Sequence, residues 1–279
     1  CVLQIVSSVL FTISYIRPVV FLVLAWAVFF GHGAVKAGEL TTQWDAGVPS
    51  TNEKAFVLMR KGDQIGFHHI QFTRNGSALQ ADIHIEIKIK LGFITLFSYL
   101  HRNSEVWSEG KLIAINSRTE VNGKTDFVNL KLDDEGEWQG QSSRFEDPIP
   151  AQVLTTSYFD PNFIRQSEVL NSQDGRVIKL DIKKIGVEPY SVSDSTTLAH
   201  RYRARGDLAL DVWYSENGEW LQSAFVPDAD RILDSDPMVD GNVIITQYSA
   251  LSDIPSREEW RTFSEPHDCC THQAVFAND

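Results

Sequence analysis

The sequence predicts a mainly β fold: one large curved antiparallel sheet, open or rolled into a half barrel, with a short helix and a loop packed on it. Three observations carry this. From Ala55 onward apolar and polar residues alternate, two-residue turn signals recur between the alternating runs, and one proline-rich interruption over residues 147–173 divides the strands into two groups.

The alternation is clearest over residues 81–91. Ala81, Ile83, Ile85, Ile87, Ile89 and Leu91 point one way, and Asp82, His84, Glu86, Lys88 and Lys90 the other. Period two over such a length predicts a strand with one wet face. It exceeds the usual strand of about five or six residues, which suits a broad curved sheet. Turn signals stand at Asn75-Gly76, Glu109-Gly110, Asn122-Gly123, Glu135-Gly136, Asp174-Gly175 and Asn217-Gly218. Asn-Gly and Asp-Gly supply the positive φ of tight hairpins. Strands are therefore expected at about 55–60, 64–74, 77–91, 94–108, 111–121, 124–133, 136–144, 176–187, 197–205, 208–215, 219–227 and 243–250. In the interruption, Asp160-Pro161 resembles an N-cap followed by an N1 proline, so a short helix is expected over 161–168. Residues 228–242 read as an acidic surface insertion, and a short helix followed by a tail is expected over 255–279.

The N-terminus sets the expected compartment. Residues 1–30 contain no acid, and residues 18–30 have the length of a signal-peptide core, short for a membrane span. Val35-Lys36-Ala37 fits a signal peptidase pocket, so residues 1–37 are expected to be a cleaved signal and 38–54 a linker to a β domain over 55–254. The competing reading is an uncleaved anchor helix. The expected location is the periplasm or cell envelope. Removing 37 of 279 residues leaves 242, enough for a core that needs no staples. That fits the cysteines: apart from Cys1 there are only Cys269 and Cys270, so no disulfide framework spans the domain. Removing Arg17 and Lys36 lowers the formal charge of −12 by two, to −14. An acidic body repels nucleic acid and anionic headgroups. No nucleic-acid partner is expected, and membrane contact only through the signal before cleavage.

Candidate site residues come from shared strand faces. Tyr99, His101, Asn103, Glu105 and Trp107 alternate on one strand. Such a row can line a cavity, with His101 as a base and Glu105 as its orienter. The two lie about 13 Å apart along the strand, too far to pair directly. Arg118, Glu120 and Arg102 are placed for cross-strand ion pairs. The loop string Thr155-Thr156-Ser157-Tyr158-Phe159-Asp160 suits a plug or cap over a cavity, or a hydrophobic anchor for the loop. Tyr99, His101, Trp107, Arg118, Tyr158 and Phe159 are thus the expected binding residues. His68 and His69 face opposite ways on a strand, cannot chelate one metal together, and read as surface or edge histidines. The strand over 208–214 reads as core packing. The His267, Cys269, Cys270 and His272 group matches no common zinc spacing. No serine-nucleophile, zinc-protease, phosphate-loop or dinucleotide motif occurs, and no cofactor, metal or catalytic residue is assigned.

Several strings taken together resemble a family of uncharacterised exported bacterial proteins, a domain of unknown function. They are residues 60–68, from Arg60-Lys61-Gly62 to Phe67-His68; residues 96–107, from Leu96-Phe97 to Val106-Trp107; Ser117-Arg118-Thr119; residues 155–161; Gly206-Asp207-Leu208; and Val212-Trp213-Tyr214. The resemblance spans about 55–227 and implies no catalytic residues. The long strands are also similar, as a fold analogy only, to the half barrels of periplasmic lipoprotein carriers. The expectation is therefore a non-catalytic protein holding an apolar or lipid-like ligand in a sheet concavity. The alternatives are an envelope hydrolase using His101 with Glu105 or Asp160, and a structural module pairing through an edge strand.

Overall fold

The computed structural model describes residues 38–144, 148–192, 195–225 and 244–249. The expected signal, the acidic insertion, the helix after Pro255 and the cysteine tail lie outside the described residues. The strands are β1 (Glu53–Arg60), β2 (Asp63–Asn75), β3 (Ala78–Leu91), β4 (Ile94–Ser108), β5 (Lys111–Val121), β6 (Lys124–Leu132), β7 (Trp138–Ser142), β8 (Leu154–Thr155), β9 (Glu168–Leu170), β10 (Val177–Val192), β11 (Ser195–Gly206), β12 (Leu210–Ser215), β13 (Trp220–Phe225) and β14 (Ile244–Ser249).

They form one 14-stranded sheet in the order β7-β6-β5-β4-β3-β2-β1-β14-β13-β12-β11-β10-β9-β8. Every pairing is antiparallel except β8 with β9. Two meanders are joined where β1 pairs with β14, so the chain's first and last described strands meet in the middle of the sheet. The meander follows from the turns. At Asn122-Gly123 both residues have positive φ, 49° and 82°, as a tight two-residue hairpin requires. Lys61-Gly62 does the same with 55° and 86°, although lysine gives no turn signal in the sequence.

The interruption differs from its expected form. A single 3-10 turn covers Pro161–Arg165, capped by the Asp160 side chain, which accepts from the Asn162 backbone N–H. The chain then extends at once into β9, pairing with β10, so no helix continues to 168. Prolines at 148, 150 and 161 leave only two short strands, β8 and β9, which are too brief to show a period.

The sheet curls so that its two distant edges approach through the turn after β9. There Ser117 Oγ donates to Ser172 O, Thr119 Oγ1 donates to Gln173 O at 3.2 Å, and Arg144 N donates to Asp174 O at 2.9 Å. Antiparallel alternation sorts the connections to two ends. The turns β2–β3, β4–β5, β6–β7 and β12–β13 share one end with residues 38–52 and the loop 148–167; the turns β1–β2, β3–β4, β5–β6, β9–β10 and β11–β12 share the other. We call these the plugged end and the hairpin end.

The plugged end is filled. Residues 38–52 are a packed strap: Leu40 is buried, Trp44 lies against Gly110, and Thr41 and Ala46 against Gly218. Phe159 is fully buried, edge-on to Trp107 and Phe72 at 5.5 and 5.3 Å between ring centres. Gly47 permits this seal, because a Cβ there would stand 1.7 Å from the Phe159 carbonyl oxygen. Lys54, buried beside this core, donates to Trp220 O and pairs with Glu219 at 2.9 Å. Burial lowers its pKa to about 8.

Candidate functional site

The inner face of β4 runs from the packed end to the apolar end in three layers. Trp107 belongs to the aromatic plug. Next come Glu105, Asn103 and His101, all buried. Tyr99 and Phe97 reach the hairpin end, half-buried among aliphatic side chains.

Glu105 is the anchor of the polar layer. It accepts from Asn103 Nδ2 at 2.8 Å and from Trp107 Nε1 at 3.1 Å, and the Thr155 and Ser157 hydroxyls also bond to it. The plug loop is thereby tied to the barrel wall. Burial raises the Glu105 pKa, and its four hydrogen bonds pull it back. His101 Nδ1 pairs with Thr119 Oγ1 at 2.8 Å. Burial holds His101 down to about 4. Register sets His68, Ile85 and His101 in one cross-strand row. Burial first, then the neighbouring His101, holds His68 down to about 3. Both rings are therefore neutral at physiological pH. Nε2 of His68 and Oδ1 of Asn103 are buried with no hydrogen-bond partner among the described residues. Buried polar atoms ordinarily have one.

Beyond this layer the lining becomes aliphatic. Leu58, Ile87 and Ile244 are buried, and Ile65, Ile85, Ile89, Phe97, Tyr99 and Phe225 pack against them while staying partly exposed. Six half-covered large apolar side chains converging on the concave face contrast with the closed aromatic core at the other end. Opposite Leu58 and Met59 the register skips Ile65, a bulge in β2 that turns Ile65 toward this group.

The six expected binding residues divide. Tyr99 and His101 face the interior at and next to the apolar layer. Tyr158 reaches inward from the plug, close enough to push the Tyr99 phenol pKa further up after burial has raised it. Its φ of 63° is strained for an aromatic residue and is held by Tyr214 Oη donating to the Tyr158 carbonyl at 2.8 Å. Trp107 and Phe159 are corrected to core: they are fully buried against each other and line no concavity. Arg118 is corrected to the outer face, where Nε donates to Glu120 at 2.9 Å. Ser117 and Thr119 take the inner positions of β5.

His68 and His69 are also corrected. Both are buried, because β2 is an interior strand of the sheet rather than an edge. His68 packs against Trp220 inside, whereas His69 lies outside, 3.8 Å from Glu53. The 208–214 strand is buried on both faces. On the outer one Asp211 accepts from Arg201 and Arg203 Nε, each at 2.9 Å, with Arg201 stacked over Trp213. No group of three or more possible metal ligands occurs among the described residues.

The hydrolase arrangement is not assembled. The partner of His101 is a threonine hydroxyl, Glu105 is enclosed by its four donors, and Asp160 caps the 3-10 turn through Asn162. Sequence reasoning missed Leu58, Ile65, Phe225 and Ile244 as lining. Their signal is weak, since each sits at the end of a strand where a bulge or turn decides the facing.

Fold and interior define an all-β, barrel-like domain with a sealed end and an apolar end. The chain belongs to a family described as a domain of unknown function, DUF6134, whose model matches residues 56–232. Among solved structures, a beta-barrel-like protein of the domain of unknown function DUF1849 from Brucella abortus is similar, with a TM-score of 0.46 and 8% identity over 71% of this chain and 94% of that one. No curated protein matches the sequence.

Proposed function

We propose that this protein is an exported, non-catalytic carrier or sensor of an amphiphile, working in the periplasm or cell envelope. The ligand's apolar chain lies among Ile65, Ile87, Ile89, Phe97, Tyr99 and Phe225, and its polar group reaches His68 and Asn103. One observation carries the reading: half-covered apolar side chains converge on the concave face at one end, while the other end is plugged. The polar layer refines the ligand class. His68 and His101 are held neutral by burial and the Glu105 carboxyl is already taken up by its four donors, so the groups left for a ligand, His68 Nε2 and Asn103 Oδ1, are uncharged hydrogen-bonding atoms. It suits a hydroxyl or ester carbonyl better than a phosphate.

Native mass spectrometry of protein purified from the envelope, followed by solvent extraction, tests this. A co-purifying lipid, released from wild type and depleted in Ile89→Ser, is the expected result. Protein that carries no lipid and takes up none from mixed envelope lipid would overturn it.

A further inference from the structure

The β3–β4 hairpin has a property the ligand reading does not use. The ladder of β2 on β3 ends at Gly66 opposite Ile87, and that of β4 on β5 begins at Tyr99 opposite Val121. Ser98 is still tied to the β5–β6 turn, its backbone N–H donating to Asn122 Oδ1 and its carbonyl accepting from Asn122 N, both at 2.9 Å. Residues 89–97 therefore have only each other as ladder partners, and the hairpin stands about 13 Å beyond the last tied row. Its tip is apolar and bare: Leu91 is 68% exposed, Phe93 97%, Ile94 52% and Leu96 58%. Four large apolar side chains within six residues are thus exposed together at the tip of an element that is marginal alone in water.

Charge indicates what covers it. The chain carries −12 overall, yet residues 87–104 contain no acid. Lys90 is exposed beside the tip, and Lys88 is paired with Glu86. The two flanking turns at the same end add the exposed Lys61 and Lys124 and the half-buried Arg60, against Asp63. Glu120, beside the second of these turns, is paired with Arg118 at 2.9 Å, and Asp207 belongs to the β11–β12 turn, several strands away. An apolar apex within a local basic collar matches the acyl boundary of a bilayer beneath anionic headgroups. Net charge alone points the other way, toward repulsion; the local distribution reverses that, because charges act within about a Debye length of 8–10 Å.

We propose that this hairpin docks the protein on an anionic lipid surface, with Phe93, Leu91, Ile94 and Leu96 entering the leaflet and the collar lysines meeting phosphates. The docking is independent of an internal ligand, although it would set the apolar end facing the membrane.

Co-sedimentation of the full chain with phosphatidylglycerol–phosphatidylcholine vesicles tests it. Parent and variants are compared side by side, so that the apolar N-terminal segment contributes equally to all. Phe93→Ser combined with Leu96→Ser should weaken binding about tenfold or more. Lys90→Glu should weaken it several-fold on anionic vesicles, with the remaining affinity less sensitive to salt. Unchanged melting temperatures verify that these solvent-exposed substitutions leave the fold intact. Absence of binding by the parent, or equal binding by the double variant, overturns the proposal. So does a concentration-dependent dimer that the double variant abolishes, which would make a second copy the tip's partner. The lipid extraction above reads the internal ligand separately, so either idea can fail alone.

Discussion

The plugged end and the hairpin end are built from the same strands and end differently. At the plugged end Trp107, Phe159, Phe163 and Trp220 are fully buried, and a strap and a loop are tied in by Glu105, Gly47 and Asn162. At the hairpin end the inner side chains are aliphatic, partly exposed and continue into a bare apolar tip. Stability is thus concentrated where aromatic rings close on each other, and the other end is left with apolar surface that folding does not cover. A protein gains little stability from half-covered side chains. Their retention in one concave group is the physical argument for a ligand there.

The sharpest way to break the comparison is to open the plug. Trp107→Ala removes a fully buried indole and one donor to Glu105, and should cost about 3–5 kcal/mol in chemical denaturation. A cost under about 1 kcal/mol would mean the aromatic end is not the stabilising one. Glu105→Ala should cost about 3 kcal/mol, because it strands the Trp107 and Asn103 donors and releases the hydroxyls of Thr155 and Ser157. Proteolysis within the loop 148–167 should speed up in that variant.

The polar layer between the ends gives a pH dependence. In the unfolded chain histidines protonate near their ordinary pKa of 6.5, whereas the folded state keeps His68 neutral to about 3 and His101 to about 4; His84, on the outer face against Phe67, is likewise held to about 3. Between these values the unfolded state binds more protons. Stability is therefore complete above pH 6.5 and falls as pH drops toward 4, by up to about 1.4 kcal/mol per pH unit for each histidine. Glu105 acts in the opposite sense: its raised pKa favours the fold at low pH, and that contribution is lost as pH rises through the folded value. Thermal melts from pH 7 to 4.5 should show falling midpoints, and His68→Leu should flatten the slope. The smallest expected effect on stability is at the hairpin end. Ile89→Ser should cost about 1 kcal/mol or less while lowering lipid occupancy. A large loss of stability there would show that the apolar end is core, and the comparison would collapse.

Much of the fold was legible because its causes are local. The strand over 81–91 shows its period directly, and glycines such as Gly76, Gly123 and Gly218 have the positive φ that their turn signals implied. The β4 row from Tyr99 to Trp107 was correctly placed on one face, since side-chain alternation depends only on being a strand. The depth of each residue along the barrel was not legible. Trp107 and Tyr99 are equivalent by pattern, and what separates them is Phe159 arriving from a loop some fifty residues later. Arg118 fell on the outer face through the β4–β5 register, which the extra residue Ile113 in β5, opposite Val106 and Trp107, shifts by one.

The sequence by itself determined that this chain makes a long-stranded antiparallel sheet, where it turns, and which residues share a face, because dihedral preference and period two act over a few residues. Only the tertiary structure decided which end is sealed, that β1 closes on β14, and that His68 and His101 share a buried neutral layer. Those outcomes depend on contacts between residues distant in the chain, whose burial and register no local pattern encodes.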